Sequence, residues 1–216
     1  MRFDWSYSIK VIPTLMTGLK YTILISILGI LLGFVLGMLT GLARSGKKGI
    51  LNTIASVYVG IIRGTPLMVQ ALYIYFAIPM ILNINIPVLV AGVLTIGLNS
   101  GAYMSECVRG AIESIDIGQR EAGTCLGLSK VQVMVSIIIP QAFKIMLPSL
   151  GNQFVISVKD TSLLTTIGVA ELTRQATQAV SKSFRTVEIY TSLAVVYLLL
   201  ITTLSFILKK LEGRLK

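Results

Sequence analysis

Two apolar segments of the chain each carry a row of polar side chains at helical spacing. One row is Asn99, Tyr103 and Glu106, and the other is Gln153, Ser157 and Asp160. The residues of each row stand at i, i+4 and i+7, which places them on one face of a helix. A carboxylate at the centre of a bilayer costs about 3 kcal/mol on insertion scales, so it normally faces a cavity or a partner. Two carboxylates in such surroundings indicate a polar pathway that accommodates a cation.

A structural explanation is also open for each carboxylate. Glu106 stands three residues before Arg109, a spacing at which helical side chains pair. Asp160 would pair with a basic side chain of another segment, such as Arg63. Arg63 and Lys144 are themselves expected to be structural or interfacial, with their stems along apolar surface.

The elements that must position these rows are membrane-spanning helices. Of the 216 residues, 54% are hydrophobic and 13% are charged, which is about half the charged fraction of a soluble domain. About 20 apolar residues in a helix cross the hydrocarbon core. We therefore expect an all-α protein of about five spans, at residues 14–42, 50–82, 86–108, within 131–167, and 189–208. The second span is long and contains Gly64-Thr65-Pro66, so a break is expected there.

Composition argues against several functional classes. The chain has no histidine, which removes the commonest metal ligand and general base, so we expect neither a metal site nor an enzyme. The net charge is +10, but the basic residues cluster between apolar runs, which indicates membrane topology and no nucleic-acid partner.

Segment 41–48 nearly matches the phosphate-binding loop GxxxxGK[ST]. Lys48 replaces the hydroxyl that would bind Mg²⁺, so no ATPase activity is expected in this chain.

The distribution of basic residues predicts the orientation of the chain. With five spans, one side of the membrane collects most of them: Arg44, Lys47, Lys48, Arg109, Arg120, Lys130, Lys209, Lys210, Arg214 and Lys216. The uncharged loop 83–85 falls on the other side. The positive-inside rule then places the N-terminus outside and the C-terminus in the cytoplasm. Arg174, Lys182 and Arg185 lie outside in this arrangement, against the trend.

Small residues recur along the first span in a pattern that predicts close helix packing. Gly29, Gly33, Gly37 and Gly41 are spaced by four residues. Such a stripe lets another helix approach closely. Packing within one subunit is the favoured interpretation, and a homodimer interface is the alternative.

A short helix is expected between the third and fourth spans. Asp116 is a good N-cap, and Gln119 stands where it completes a capping box. Gly127 is a favoured helix stop. Ser129 and Gln132 form a second capping box that opens the next helix.

The residues of this short helix carry a family resemblance. Glu121-Ala122-Gly123, three residues, Gly127, nine residues and then Ile137-Ile138-Ile139-Pro140 resemble the EAA loop of ABC-importer permeases. Gly123 and Ile139 depart from that pattern. Further segments resemble the polar amino-acid branch of this family: 63–70, 102–106 with Arg109-Gly110, and 159–163. The resemblance implies a MetI-like, type I permease in a prokaryotic cytoplasmic membrane, with residues 1–216 as a single domain and the EAA loop at about 116–140.

The resemblance also implies partners. A separate ATP-binding subunit, in two copies, would carry ATP and Mg²⁺, so that no cofactor binds this chain. It would dock on the coupling helix through Glu121, Ala122, Gly123, Leu126, Gly127 and Leu128. A second permease chain, identical or paralogous, would complete the pathway, and an extracytoplasmic solute-binding protein would deliver the substrate.

The two carboxylates suggest which amino acid is carried. We expect a basic one, arginine, lysine or ornithine, because Glu106 and Asp160 can serve its two cationic groups separately. Backbone N–H groups at Gly64 and Thr65 would bind its α-carboxylate. Glutamine, glutamate or another polar amino acid is the alternative, and in that case the carboxylates are structural. A stand-alone carrier or channel is the alternative of a different class.

Overall fold

The computed structural model describes residues 3–46 and 49–215, with side chains to residue 213. Of the residues used above, Lys47, Lys48, Lys216 and the side chain of Arg214 lie outside this part. The near-match to a phosphate-binding loop therefore lies partly outside the described residues.

Helices account for nearly all of the described chain. They are α1 Trp5–Ser45, α2 Ile50–Arg63, α3 Leu67–Leu82, α4 Val88–Glu113, α5 Ile117–Cys125, α6 Lys130–Ile167, α7 Leu172–Ser183 and α8 Thr186–Leu215. Helices α1, α4, α6 and α8 are long and apolar enough to span a membrane. Helices α2 and α3, bent by 106° at the break between them, are together apolar enough to form a fifth span. The prediction of an all-α protein with about five spans is confirmed. Helix α7 was not predicted, because its sequence is too polar to stand out as a span.

The predicted break in the second span lies at Gly64-Thr65-Pro66. Helix α2 ends where the Gly64 N–H donates to the Gly60 carbonyl at 2.9 Å, and Pro66 begins α3 with an extended backbone. Proline lacks an N–H and disfavours a helical residue before it, so the chain turns here. The Gln70 amide then donates to the carbonyls of Ile62 at 2.7 Å and Thr65 at 3.0 Å. Gln70 thus pairs backbone oxygens that the break exposes.

Two further distortions have the same cause. Short π-helical segments occur at Tyr73–Ala77 within α3 and at Met134–Ile138 within α6. Each ends two residues before a proline, Pro79 or Pro140. The proline ring collides with the carbonyl four residues earlier, and a widened turn relieves that collision.

The glycine stripe packs α1 against α4 within this chain. A Cβ added at Gly29, Gly37 or Gly41 would lie 2.6–2.7 Å from side-chain atoms of Ile96, Met104 and Val108, respectively, and Gly33 contacts Ser100 in the same way. The offset between partners is constant, so α1 and α4 run parallel. This is the intrasubunit packing that the sequence favoured, and it places the N-termini of both helices at one end of the bundle.

The N-terminal part of α1 packs with α7 and the start of α8 to form a separate layer, here called the platform (residues 5–20, 172–183 and 186–196). Its core is Val11, Leu15, Leu172, Ala176, Ile189 and Val196. Glu171 caps α7 by accepting the N–H groups of Thr173 and Arg174 at 2.8 and 2.7 Å. Burial raises the pKa of Glu171, and these hydrogen bonds oppose that change.

Candidate functional site

A polar cavity of about 600 Å³ opens at the break between α2 and α3. Its lining comes from α2, α3, α4 and α6: Arg63, Gly64, Thr65, Pro66, Leu67, Asn99, Tyr103, Gln153, Ile156 and Asp160. Cavities that bind small molecules commonly have this size, with a few convergent polar groups among apolar ones.

Most residues of the two polar rows predicted from the sequence line this cavity. Asn99 and Tyr103 of the first row and Gln153 and Asp160 of the second line it, opposite Gly64 and Thr65. Ser157 is buried beside the cavity lining, with its hydroxyl 3.5 Å from the Gln153 amide nitrogen.

Four lining residues were not predicted as site residues: Arg63, Pro66, Leu67 and Ile156. Arg63 was expected to be structural or interfacial, yet it lines the cavity at the break. Its position directly before Gly64-Thr65-Pro66 was the available signal, because a helix that ends inside the bilayer normally borders a cavity. Ile156 lies three residues after Gln153 and four before Asp160, so helical periodicity places it on the same face.

Asn99 is oriented by a relay from the broken helix. The Asn99 amide nitrogen donates to Gln70 Oε1 at 3.1 Å, and Gln70 in turn donates to backbone carbonyls around the break. Both residues are largely buried, at 7% exposure each. Among the described residues no group donates to Asn99 Oδ1, so this side-chain acceptor is available to a ligand.

Glu106 does not line the cavity but lies at the centre of an arginine cluster beside it. Its carboxylate accepts from Arg44 at 3.0 Å, Arg63 at 2.8 Å and Arg109 at 2.9 Å. Arg109 also pairs with Glu113 at 2.7 Å. The cluster joins α1, α2 and α4, and it includes the Glu106–Arg109 pair that was considered as the structural alternative. The arrangement of two free carboxylates is therefore not present, because three guanidinium groups converge on one of them.

The charges of the cavity are thus one cation and one anion. The Arg63 guanidinium carbon lies 5.4 Å from the centre of the Tyr103 ring, within range of a cation–π contact. Arg63 pairs with Glu106 and not with Asp160, contrary to the alternative considered for Asp160. No described Lys or Arg lies within 4.0 Å of the Asp160 carboxylate.

The short helix α5 forms as predicted between the third and fourth spans, but without the predicted Asp116–Gln119 capping box, because Gln119 Oε1 accepts from the Gln141 amide at 3.4 Å and not from the Asp116 N–H. Asp116 caps it through the Gly118 N–H at 2.7 Å, and Gly127 follows it with a φ of +80°, where glycine is favoured. The Ser129–Gln132 capping box opens α6.

The residues predicted for partner contact on α5 divide into two groups. Glu121, Ala122, Leu126 and Gly127 are exposed, and Leu128 is half-buried. Gly123 is buried, and an added Cβ would lie 2.8 Å from Val133. Gly123 therefore faces α6 and cannot contact a partner. Leu126 and Ile117 are 80% and 70% exposed, which leaves apolar surface of the kind that marks an interaction site.

The family model for "Binding-protein-dependent transport system inner membrane component" matches residues 29–216. The chain belongs to this family, and with four to five apolar spans it is a multi-pass membrane permease. The resemblance to ABC-importer permeases that rests on the EAA loop is thereby confirmed.

Particular relatives match along the whole chain. The glutamine transport system permease protein GlnP of Escherichia coli K12 is 50% identical over 217 residues, covering 100% of this chain and 99% of that protein. The arginine transport system permease protein ArtQ of Bacillus subtilis is 34% identical, with the same coverage. A crystal structure of an amino acid ABC transporter with histidines superposes with a TM-score of 0.91 at 37% identity, covering 99% of this chain and 100% of that one. The MetNI methionine transporter, at 17% identity and a TM-score of 0.80 over 94% and 96% of the chains, shows the shared fold.

Proposed function

We propose that this chain forms the membrane pathway of an ATP-driven importer for a neutral polar amino acid, with glutamine as the substrate. The observation that carries the proposal is the balanced charge of the cavity, in which Arg63 and Asp160 lie beside the amides of Asn99 and Gln153. The 50% identity to a glutamine permease over the whole chain supports it.

An amino-acid zwitterion complements these groups. Its α-carboxylate suits Arg63 and the unpaired N–H groups at the start of α3, where a helix N-terminus favours negative charge. Its α-ammonium suits the Asp160 carboxylate. The glutamine side-chain amide suits Asn99 and Gln153, since an amide both donates and accepts.

A basic amino acid is the second candidate substrate. Its extra cation would need a second free carboxylate, and Glu106 is already paired with three arginines. Two observations favour it: the 34% identity to an arginine permease, and the lack of any described Lys or Arg within 4.0 Å of the Asp160 carboxylate. Under this alternative Asp160 takes the side-chain cation, and the α-ammonium is bound by neutral acceptors.

Energy is supplied from a separate ATP-binding subunit in this proposal. Two copies of that subunit, holding ATP and Mg²⁺, dock on α5 of two permease chains through Glu121, Ala122, Leu126, Gly127 and Leu128. A solute-binding protein delivers substrate on the opposite face. The second permease chain is identical or paralogous.

The proposed orientation places α5 in the cytoplasm and the N-terminus outside. Arg44, Arg109, Arg120 and Lys130 lie at the α5 end of the parallel helices α1 and α4 or in the segments that follow them, which the positive-inside rule assigns to the cytoplasm.

Uptake into proteoliposomes that hold the assembled importer tests this function. With ATP inside and the binding protein outside, we expect labelled glutamine to accumulate, and unlabelled arginine or lysine not to compete. Suppression by arginine and lysine would favour the basic substrate. Uptake that persists without ATP would contradict the importer and favour a stand-alone carrier.

A further inference from the structure

The amide of Gln70 is held in one orientation by oxygens at the break between α2 and α3. Its Nε2 donates to the carbonyls of Ile62 at 2.7 Å and Thr65 at 3.0 Å. A third oxygen, the Thr65 hydroxyl, lies 3.1 Å away, and its own proton is donated to the Ile61 carbonyl at 2.9 Å. All three oxygens therefore act as acceptors toward Gln70. A reversed amide would set Gln70 Oε1 against these three acceptors, so the reversed orientation is excluded.

This orientation determines which atom Asn99 presents to the cavity. Gln70 Oε1 faces α4 and accepts from Asn99 Nδ2 at 3.1 Å. A reversed Asn99 amide would place Oδ1 against Gln70 Oε1, two acceptors with no proton between them. Asn99 Oδ1 is thus directed away from Gln70, and Asn99 lines the cavity. The polarity of this side chain is set from outside the cavity, by the broken helix.

Gln153, the other amide of the cavity lining, has no such constraint. Its Nε2 lies 3.5 Å from the Ser157 hydroxyl oxygen. A hydroxyl both donates and accepts, so it satisfies either orientation of the Gln153 amide. Gln153 can therefore offer a donor or an acceptor to a ligand, whereas Asn99 offers a fixed acceptor.

A fixed acceptor in the site separates glutamine from glutamate. The two amino acids have nearly the same shape, but a carboxamide carries two N–H donors and an ionised carboxylate carries acceptors alone. Asn99 Oδ1 can accept from the carboxamide. It would repel the carboxylate and be left without a donor in a largely buried place. A site built to hydrogen-bond one group discriminates strongly against an analogue that lacks it.

We propose that Gln70 is a specificity-determining positioning residue, which selects a side-chain carboxamide over a carboxylate by holding Asn99 Oδ1 toward the cavity. Gln70 does not line the cavity itself, so it acts through Asn99. The inference rests on the proposed function, which supplies an amino acid as the ligand of this cavity. It adds the residue that distinguishes glutamine from its acidic analogue.

The test measures equilibrium binding to the assembled importer in nanodiscs at pH 7. The soluble binding protein is left out, so that its own specificity does not enter the result. Labelled glutamine is the probe, unlabelled glutamate is the competitor, and the ratio of their Kd values is the readout. Gln70→Met keeps the length of the side chain and removes its amide. Gln141→Met is the matched control, since Gln141 also donates to a backbone carbonyl, that of Ile137 at 2.9 Å, and does not line the cavity.

We expect the wild type and the control to bind glutamine at least about a hundredfold more tightly than glutamate. Gln70→Met should lower this ratio by about tenfold, because Asn99 is then free to reverse. Asn99→Ala should lower it to the same extent, and the double variant should lower it no further, since Gln70 acts through Asn99. A purely structural role for Gln70 would weaken the binding of both ligands and leave the ratio unchanged.

An unchanged ratio in Gln70→Met or in Asn99→Ala would overturn the proposal. Asn99→Ala leaves the bonds between Gln70 and the break in place, so it decides the matter even if Gln70→Met does not fold. A wild type that prefers glutamine, with the same ratio in both variants, would retain the proposed function and remove this inference alone. A wild type that binds neither ligand, or that binds arginine more tightly than glutamine, would contradict the proposed function itself.

Discussion

Arg63 connects two groups of residues that differ in function. On one side it lines the cavity with Asp160 and Asn99, and on the other it pairs with Glu106. Because Glu106 holds three arginines, it orients Arg63 without being available to substrate itself. Asp160, which no described Lys or Arg approaches within 4.0 Å, remains the carboxylate available to a ligand. The two acidic residues should therefore respond differently to substitution.

Replacing Asp160 with Asn should impair substrate recognition. The variant loses one charge-assisted hydrogen bond, worth about 1.5–3 kcal/mol, so we expect KM for glutamine uptake to rise about ten- to a hundredfold. Glu113→Gln is the matched control, since Glu113 is exposed and does not line the cavity. A KM equal to that of the wild type would exclude Asp160 from the binding site.

Replacing Glu106 with Gln should lower the stability of the helix bundle more than it affects substrate recognition. Three guanidinium groups lose their common partner, and the expected loss is about 1–3 kcal/mol in the free energy of unfolding, because the site is only partly buried. Thermal unfolding of the purified permease measures this loss. Glu106→Asp, which keeps the charge, should restore part of it. A raised KM with unchanged stability would instead return Glu106 to the substrate site.

At the scale of elements, glycine and proline decide how the helices meet. The stripe on α1 allows contact with α4, and Pro66 turns the chain where the cavity opens. Pro140 widens a turn of α6 soon after α5, in the helix that continues to Asp160. The close contact between α1 and α4 and the bends in α3 and α6 thus depend on a few glycine and proline residues.

The variant Gly37→Ala should destabilise the packing of α1 on α4. Its Cβ would lie 2.6 Å from the Met104 Cβ, which cannot move away by rotating a side chain. Overpacking of this kind costs about 1–3 kcal/mol. Gly60→Ala is the control, since nothing lies within 4 Å of a Cβ there. Unchanged monomer stability together with loss of a dimer would support the homodimer alternative for the stripe.

The exposed side of α5 should be required for binding the ATP-binding subunit. Leu126 is 80% exposed in the free chain, so Leu126→Glu should not disturb the fold of the permease. In the complex, the same substitution would place a charge in an interface that excludes water. We expect co-purification of the ATP-binding subunit to fall at least about tenfold while the unfolding temperature of the permease stays the same. Normal co-purification would show that the docking surface lies elsewhere.

At the scale of the whole molecule, the parallel helices α1 and α4 separate two unlike ends. One end carries α5 and the arginine cluster, and the other carries the platform. The cavity at Gly64 and Asn99 lies between them, within the spans. This arrangement suits a pathway that receives a solute at one end and is driven from the other.

Cysteine labelling in intact cells should report the orientation. Cys125 on α5 is exposed, so with Cys107→Ala it should react with a membrane-impermeant maleimide only after permeabilisation. Gln178→Cys on α7, with Cys107→Ala and Cys125→Ser, should react without permeabilisation, because the proposed orientation places the platform outside. The reverse pattern would invert the proposed topology.

Sequence alone determined the features that depend on local patterns. Apolar runs longer than the bilayer, the break at Gly64-Thr65-Pro66 and the capped helix before Gly127 follow from hydropathy, proline chemistry and capping, all of which are local. The polar rows of α4 and α6 could likewise be assigned to helix faces, and most of their members line the cavity.

Only the tertiary structure decided which charges pair and which surfaces remain free. Glu106 pairs with Arg44 and Arg63, which lie on other helices, and with Arg109 on its own helix. Only the pair with Arg109 could be predicted from residue spacing. Gly123 faces inward because α6 folds back on α5, which no spacing rule for α5 indicates. The platform depends on α1 extending past α4, a register set by side-chain interlocking along the glycine stripe. Such contacts depend on how separate helices pack against each other. Residue spacing along the sequence predicts only which side chains share a face of the same helix.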